Sequence, residues 1–187
     1  MELTTAVRQR RSTAAITDRA PDDAELRRCL ALAAHSPDHA GLRPWRLITL
    51  RGTDLDRLAA ALVAGYGDIP GTPEARRTAA KAYRAPLLLT VVGVPVEHRK
   101  VPEWEQIAAT AALVTTLQLV LFDAGWTAMW RTGPATALPE VRKLLGLADH
   151  ERLLGWLYIG ATDPAGMAAE CPDPDITGKI GSLPAEG

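Results

Sequence analysis

EWEQIAATAALVTTLQLVLFDAG, residues 103–125, is apolar on nearly every side until Asp123 and the stop at Gly125. About 20 residues at 1.5 Å each predict a helix roughly 30 Å long. A helix apolar all round belongs either in a membrane or at the middle of a protein. Thr110, Thr115, Thr116 and Gln118, with the acidic flanks, favour the middle. A chain of 187 residues is short for covering such a helix by itself, so the segment 104–124 is expected to pack against a second copy as well.

Around this helix the pattern alternates. A short helix is expected over residues 2–10, and a second follows Pro21, with Leu26, Cys29, Leu30, Ala33 and Ala34 at helical spacing. RLITL at 46–50 is strand-like. TDLDRLAAALVAGYG, from 53, is a third helix, with Thr53 as the candidate cap and Asp56 at the capping-box position. EARRTAAKAYR is a fourth, ended by Pro86. LLLTVVGV, 87–94, is apolar on both alternating faces, as a central strand covered on both sides would be. Beyond the long helix, strands are expected at 127–132 and 153–160, separated by the helix PEVRKLLGL. The order ααβααβαβαβ implies an α+β fold. A mixed sheet of four or five strands would be flanked by helices, with the long one central. The chain reads as one domain over 1–187, of which 162–187 form an extended tail.

Composition narrows the function. A formal charge of −1 and an isoelectric point near 6.4 argue against nucleic acid or a membrane surface as partner. The N-terminus shows no signal-like apolar run, and two cysteines make no disulfide framework. Cytoplasmic residence is the expectation. No Gly-rich nucleotide fingerprint occurs. His35 and His39 lie four apart, but Pro37 and the SPD turn between them break the helical face that would pair them on a metal, and none is expected. What stands out are arginines at element ends. Arg10 and Arg11 close the first helix and precede Ser12, while Arg131 sits between Trp130 and Thr132 in an apolar strand. An arginine directed into a core needs an anionic partner, either a carboxylate or a phosphate that several guanidiniums match together.

RRS at 10–12, SPDHAGLRPW at 36–45, RAPLLLTVV at 84–92, KVPEWEQ at 100–106, WRTG at 130–133 and GWLYIG at 155–160 resemble, in order and spacing, the FMN-dependent nitroreductase family, in particular its small bacterial YdjA-like subgroup. The resemblance implies a nitroreductase-like fold and a homodimer with FMN at the subunit interface. It implies that Arg10, Arg11 and Ser12 hold the phosphate and ribityl chain, and that Trp130, Arg131 and Thr132 close on the same cofactor. His35, Pro37, His39 and Leu42 would then form a wall of the flavin site, and Trp104 and Glu105 would line the acceptor pocket. The basic tail residues of many relatives have only Lys179 as a counterpart, which leaves the phosphate to Arg10, Arg11 and Arg131. Ala14, Ala15, Gly41 and Arg43 also depart from the family pattern. The implied chemistry belongs to the cofactor. NADH or NADPH reduces FMN, and an electron-poor acceptor such as a nitroaromatic or quinone is reduced in turn, with no catalytic residue beyond the flavin. Another reaction of the same family, a dehydrogenase or dehalogenase, stays open, as does a non-catalytic flavin-binding dimer.

Overall fold

LLLTVVG at 87–93 has no polar face. In the computed structural model, which describes residues 2–162 and 172–183, it is an inner strand with all seven residues buried. The elements follow the expected order: α1 (Leu3–Gln9), α2 (Asp23–Ala33), β1 (Trp45–Leu50), α3 (Thr53–Tyr66), α4 (Pro73–Ala79), β2 (Leu87–Gly93), α5 (Glu103–Asp123), β3 (Thr127–Arg131), α6 (Pro139–Leu144) and β4 (Arg152–Gly160). In space the strands run β1-β2-β4-β3, and every pairing is antiparallel. The sheet among the described residues therefore has four strands and a single sense of pairing, where the sequence suggested a mixed one. Strand direction depends on where the connecting helices return the chain, and a strand's own pattern carries no record of that.

Alternation divides β2 between two cores. Leu88 and Val92 join Leu58, Leu62, Trp156 and Tyr158 beneath α3 and α6. Leu87, Leu89 and Val91 join Leu26, Leu113, Leu117 and Leu121 beneath α2 and α5. The register of β4 against β2 slips by one residue between Val91 and Val92, next to Gly155. Gly155 sits at φ +107°, and a Cβ there would overlap the carbonyl oxygen of Arg131 on β3.

Side-chain caps explain two of the six α-helix starts among the described residues. Asp22 accepts from the Glu25 N–H at 2.7 Å, and Thr72 from the Ala75 N–H at 3.2 Å, each satisfying a donor the helix leaves open. Thr53 does not cap α3. It is the first helical residue, and Gly52, at φ +50°, holds the cap position without a side-chain bond. The fourth helix also ends sooner than expected: after Ala79 the chain tightens into a 3-10 turn, Ala80–Tyr83, on its approach to Pro86.

By length and composition α5 would pass for a membrane span. Its inner side carries Leu113, Val114, Leu117 and Leu121 into the core. Its outer side keeps Ala108 and Thr115 exposed and Ala112, Leu119 and Phe122 half-buried, and steps of three and four residues set these on one stripe. In the tail, Arg8 of α1 holds Asp173 through two bonds of 3.2 and 3.0 Å. Cys171 lies outside the described residues.

Candidate functional site

The turn after α2 is fastened to the middle of α5. Ser36 Oγ donates to Ala33 O at 2.7 Å and lies 2.8 Å from Thr116 Oγ1. Asp38 Oδ2 accepts from the Arg43 N–H at 2.6 Å. This bond spans a left-handed stretch in which Ala40, Gly41 and Arg43 have φ of +64°, +61° and +47°. For Ala40 and Arg43 that conformation costs on the order of 1 kcal/mol each, and such strain persists only where surrounding contacts fix the backbone. His35, Pro37 and His39 are exposed on this turn, and Leu42 is half-buried. His39 Nδ1 stands 2.7 Å from Glu105 Oε1. Two residues assigned to different parts of the site, flavin wall and acceptor pocket, thus meet directly. Gln106 fixes Glu105 from behind: buried, it donates to Val96 O and Val101 O at 2.8 and 3.0 Å and accepts from the Val96 N–H at 2.9 Å. Trp104, one residue earlier, is exposed. Among the described residues no three His, Cys, Asp or Glu side chains gather as a metal site.

At the end of α1 the two arginines differ. Arg11 Nη1 donates to Arg10 O at 2.7 Å. Arg10 is half-buried, and its Nη1 is enclosed without a hydrogen-bond partner. Burial lowers the Arg10 pKa, and the neighbouring Arg11 charge lowers it further. A desolvated guanidinium donor with another cation beside it is an arrangement that an anion would relieve. Ser12 follows, exposed.

The third segment divides. Trp130 packs on the α5 side and donates Nε1–H to Leu154 O at 3.0 Å. Arg131 is exposed at the strand end rather than sunk in the core as its apolar flanks suggested. It turns to the opposite face, where with Thr132 it lines a cavity of about 200 Å³ beside α3. Two cations that the sequence reading did not assign to the site, Lys81 and Arg84, line the same cavity. Lys81 Nζ lies 4.4 Å from the centre of the Tyr66 ring, and Tyr158 OH donates to Lys81 O at 2.9 Å. Burial pushes the Tyr158 phenol up, while the charges of Arg131 and Arg84 pull it down. Trp156 also lines the cavity, and its buried Nε1 lacks a partner. Lys81 gave no usable signal in the sequence, because a cation in a polar helix normally faces water, and Arg84 entered only as the first residue of RAPLLLTVV at 84–92, with no role attached.

The chain leaving Ser12 links the two cationic places. Ile16 packs into the α3-side core, and Arg84 lines both the Arg131 cavity and a neighbouring hollow that includes Ile16. The described contacts join His39 to Glu105 and Arg131 to Thr132. They do not draw the turn, the α1 end and the β3 end into one closed pocket within a single chain.

Comparison with known proteins agrees with these motifs. The profile of the Nitroreductase family matches residues 7–161. YdjA of Escherichia coli (strain K12), which carries the name of an NAD(P)H nitroreductase, is 31% identical over 170 residues, covering 88% of this chain and 91% of that one. Among solved structures, a nitroreductase-like family protein from Bacillus cereus superposes with a TM-score of 0.84 at 23% identity, over 99% of this chain and 97% of that one. The FMN-dependent nitroreductase NfnB from Mycobacterium smegmatis, solved with NADPH, gives 0.72 at 16% identity, with 97% of each chain covered.

Proposed function

The chain belongs to the nitroreductase family, and from that premise we propose that it is an FMN-dependent oxidoreductase that passes electrons from NADH or NADPH to electron-poor acceptors such as nitroaromatics or quinones. The observation that carries this is Arg10, whose enclosed, unpartnered Nη1 beside Arg11 fits a phosphate. FMN, when bound, supplies the hydride chemistry. Arg10, Arg11 and Ser12 hold the phosphate end. Trp130 and Thr132 close on the cofactor from β3, and the cations Lys81, Arg84 and Arg131 serve its remaining polar atoms. His35, Pro37, His39 and Leu42 form the wall carried by the strained turn, and Trp104 with Glu105 borders the acceptor. One open face used in turn by two substrates makes a ping-pong cycle. The working unit is a cytoplasmic homodimer, the outer stripe of α5 meeting its counterpart in a second copy.

Three measurements test this. Purified protein supplied with FMN should be yellow, bleach with NADPH or NADH, and recolour with a nitroaromatic. Arg10→Ala removes a charge-assisted contact of roughly 1.5–3 kcal/mol, so its FMN affinity should fall about 10- to 100-fold. Arg131→Ala, at an exposed position, should lose less. A parent protein that binds no FMN ends the proposal. In sedimentation the parent should run at twice the 20.0 kDa chain mass, and a species of single mass at micromolar concentration would remove the shared interface.

A further inference from the structure

Glu105 and His39 are 66 residues apart in sequence, yet their side chains meet at 2.7 Å between the strained turn and α5, and the oxidoreductase reading so far uses each only as a wall. Neighbouring carboxylates have other partners. Asp38 Oδ2 holds the Arg43 N–H, and Glu103 Oε1 takes Arg152 Nε–H at 2.9 Å. Glu105 therefore serves the imidazole, and the buried clamp of Gln106 holds its backbone. A carboxylate on Nδ1 selects the tautomer with hydrogen on that atom and leaves Nε2 as the nitrogen that exchanges protons. The His39 side chain is 51% exposed, so water reaches it.

Reduction of the proposed acceptors needs a proton as well as a hydride. A quinone that gains hydride and one proton becomes a hydroquinone, and a nitro group that gains the same pair becomes a nitroso group and water. We infer that His39 and Glu105 are a proton-delivering pair for the acceptor half of the cycle, an inference that rests on the flavin reading above. The N–H bond at Nε2 of the imidazolium breaks and an O–H bond forms on the acceptor. The neutral ring keeps Nδ1–H on Glu105, which orients it throughout, and water then returns a proton to Nε2. Hydride transfer from the nicotinamide requires no such proton, so the two halves of the cycle should respond differently to loss of the pair.

The test uses parent, His39→Asn, Glu105→Gln and Glu105→Asp proteins loaded with FMN, bleached anaerobically with NADPH and mixed with p-benzoquinone. In His39→Asn, recolouring should slow at least tenfold more than bleaching does, within the roughly 10²- to 10⁴-fold range of proton-transfer catalysis, and the solvent deuterium effect of the parent should vanish. Glu105→Gln should slow the same half, with Glu105→Asp recovering part of the rate. An independent readout needs no flavin: nitrogen NMR of the parent should show His39 with its hydrogen on Nδ1, and Glu105→Gln should shift the ring toward the Nε2–H form. Equal slowing of both halves, an undiminished recolouring rate in His39→Asn, a variant that loses FMN outright, or a parent ring protonated on Nε2 would each overturn the pair. A parent that neither binds FMN nor bleaches overturns the oxidoreductase reading itself, and the pair with it.

Discussion

Gly155→Ala should destabilise the fold by about 3 kcal/mol or more and loosen the end of β3. Two costs combine. A non-glycine residue at a strongly positive φ carries roughly 1–2 kcal/mol of strain, and forcing an atom into packed backbone adds typically 1–3 kcal/mol. The obstruction is the Arg131 carbonyl with the Thr132 Cα behind it, main-chain atoms that have no rotamer to escape through. Relief must come from shifting β3 away from β4, where Arg131 pairs with Trp156. Arg131 and Thr132 leave their cavity with the same shift, so the variant should lose FMN affinity beyond what its stability loss explains. Denaturant titration with and without FMN checks both effects. A Gly155→Ala protein within 1 kcal/mol of the parent would mean that the bulge repacks freely.

Acid should weaken the fold through Glu151. Its carboxylate takes Arg46 Nε–H and Nη2–H at 2.6 and 2.7 Å and the Ala148 N–H at 2.9 Å, and its side chain is only 8% exposed. The Arg46 bond holds its pKa down, from 4.5 to about 2, aided by the Ala148 N–H and opposed by burial. A carboxyl whose folded pKa is depressed contributes stability that is fully present above the unfolded value and is lost as pH falls from about 4.5 toward 2. The shift alone corresponds to about 3 kcal/mol at 1.36 kcal/mol per pH unit. Arg46 is 37% exposed, so solvent screening brings this nearer 2 kcal/mol. Glu151→Gln should therefore be about 2 kcal/mol less stable than the parent at pH 7, and the gap should close by pH 2. A gap that stays constant across that range would show that the charge is not what the pair contributes.

Where the two sequence halves of an interaction lie close, or where one element states its own burial, the sequence was readable. α5 announced its central place by apolarity on every side, and β2 its double coverage by lacking a polar face. The helix and strand order followed from periodicity. The antiparallel sense of the sheet did not, because β4 inserts between β2 and β3 through connections whose geometry no single strand encodes. Arg131 misled for a local reason: in a strand, successive side chains point to opposite faces, so an arginine that follows an apolar run can be the last residue of β3, facing away from Trp130 into a cavity that it shares with Thr132. Lys81 and Arg84 join it only through the packing of the 3-10 turn against α3. The bond from His39 to Glu105 spans 66 residues, and the turn's docking on α5, through Ser36 at one end and the Pro44 carbonyl on Thr110 at the other, brings the two together.

The placement of β3 sets how the site breathes. β2 has a strand on either side and a core on each face, so separating it from its neighbours means dismantling both cores. β3 lies at the sheet's margin among the described residues, with β4 as its single strand neighbour, so its opening would break one ladder and the packing of Ala128 and Trp130 on the α5 side. Such local openings occupy the low end of a protein's free-energy ladder. On the proposed reading, with Trp130 and Thr132 gripping part of the cofactor, FMN would bind the closed arrangement in preference to the frayed one and add RT ln(1 + [L]/Kd) to its weight. Occupancy and order at this margin would then rise together, and the cofactor would be a structural tie for the strand as well as the chemical agent of the site.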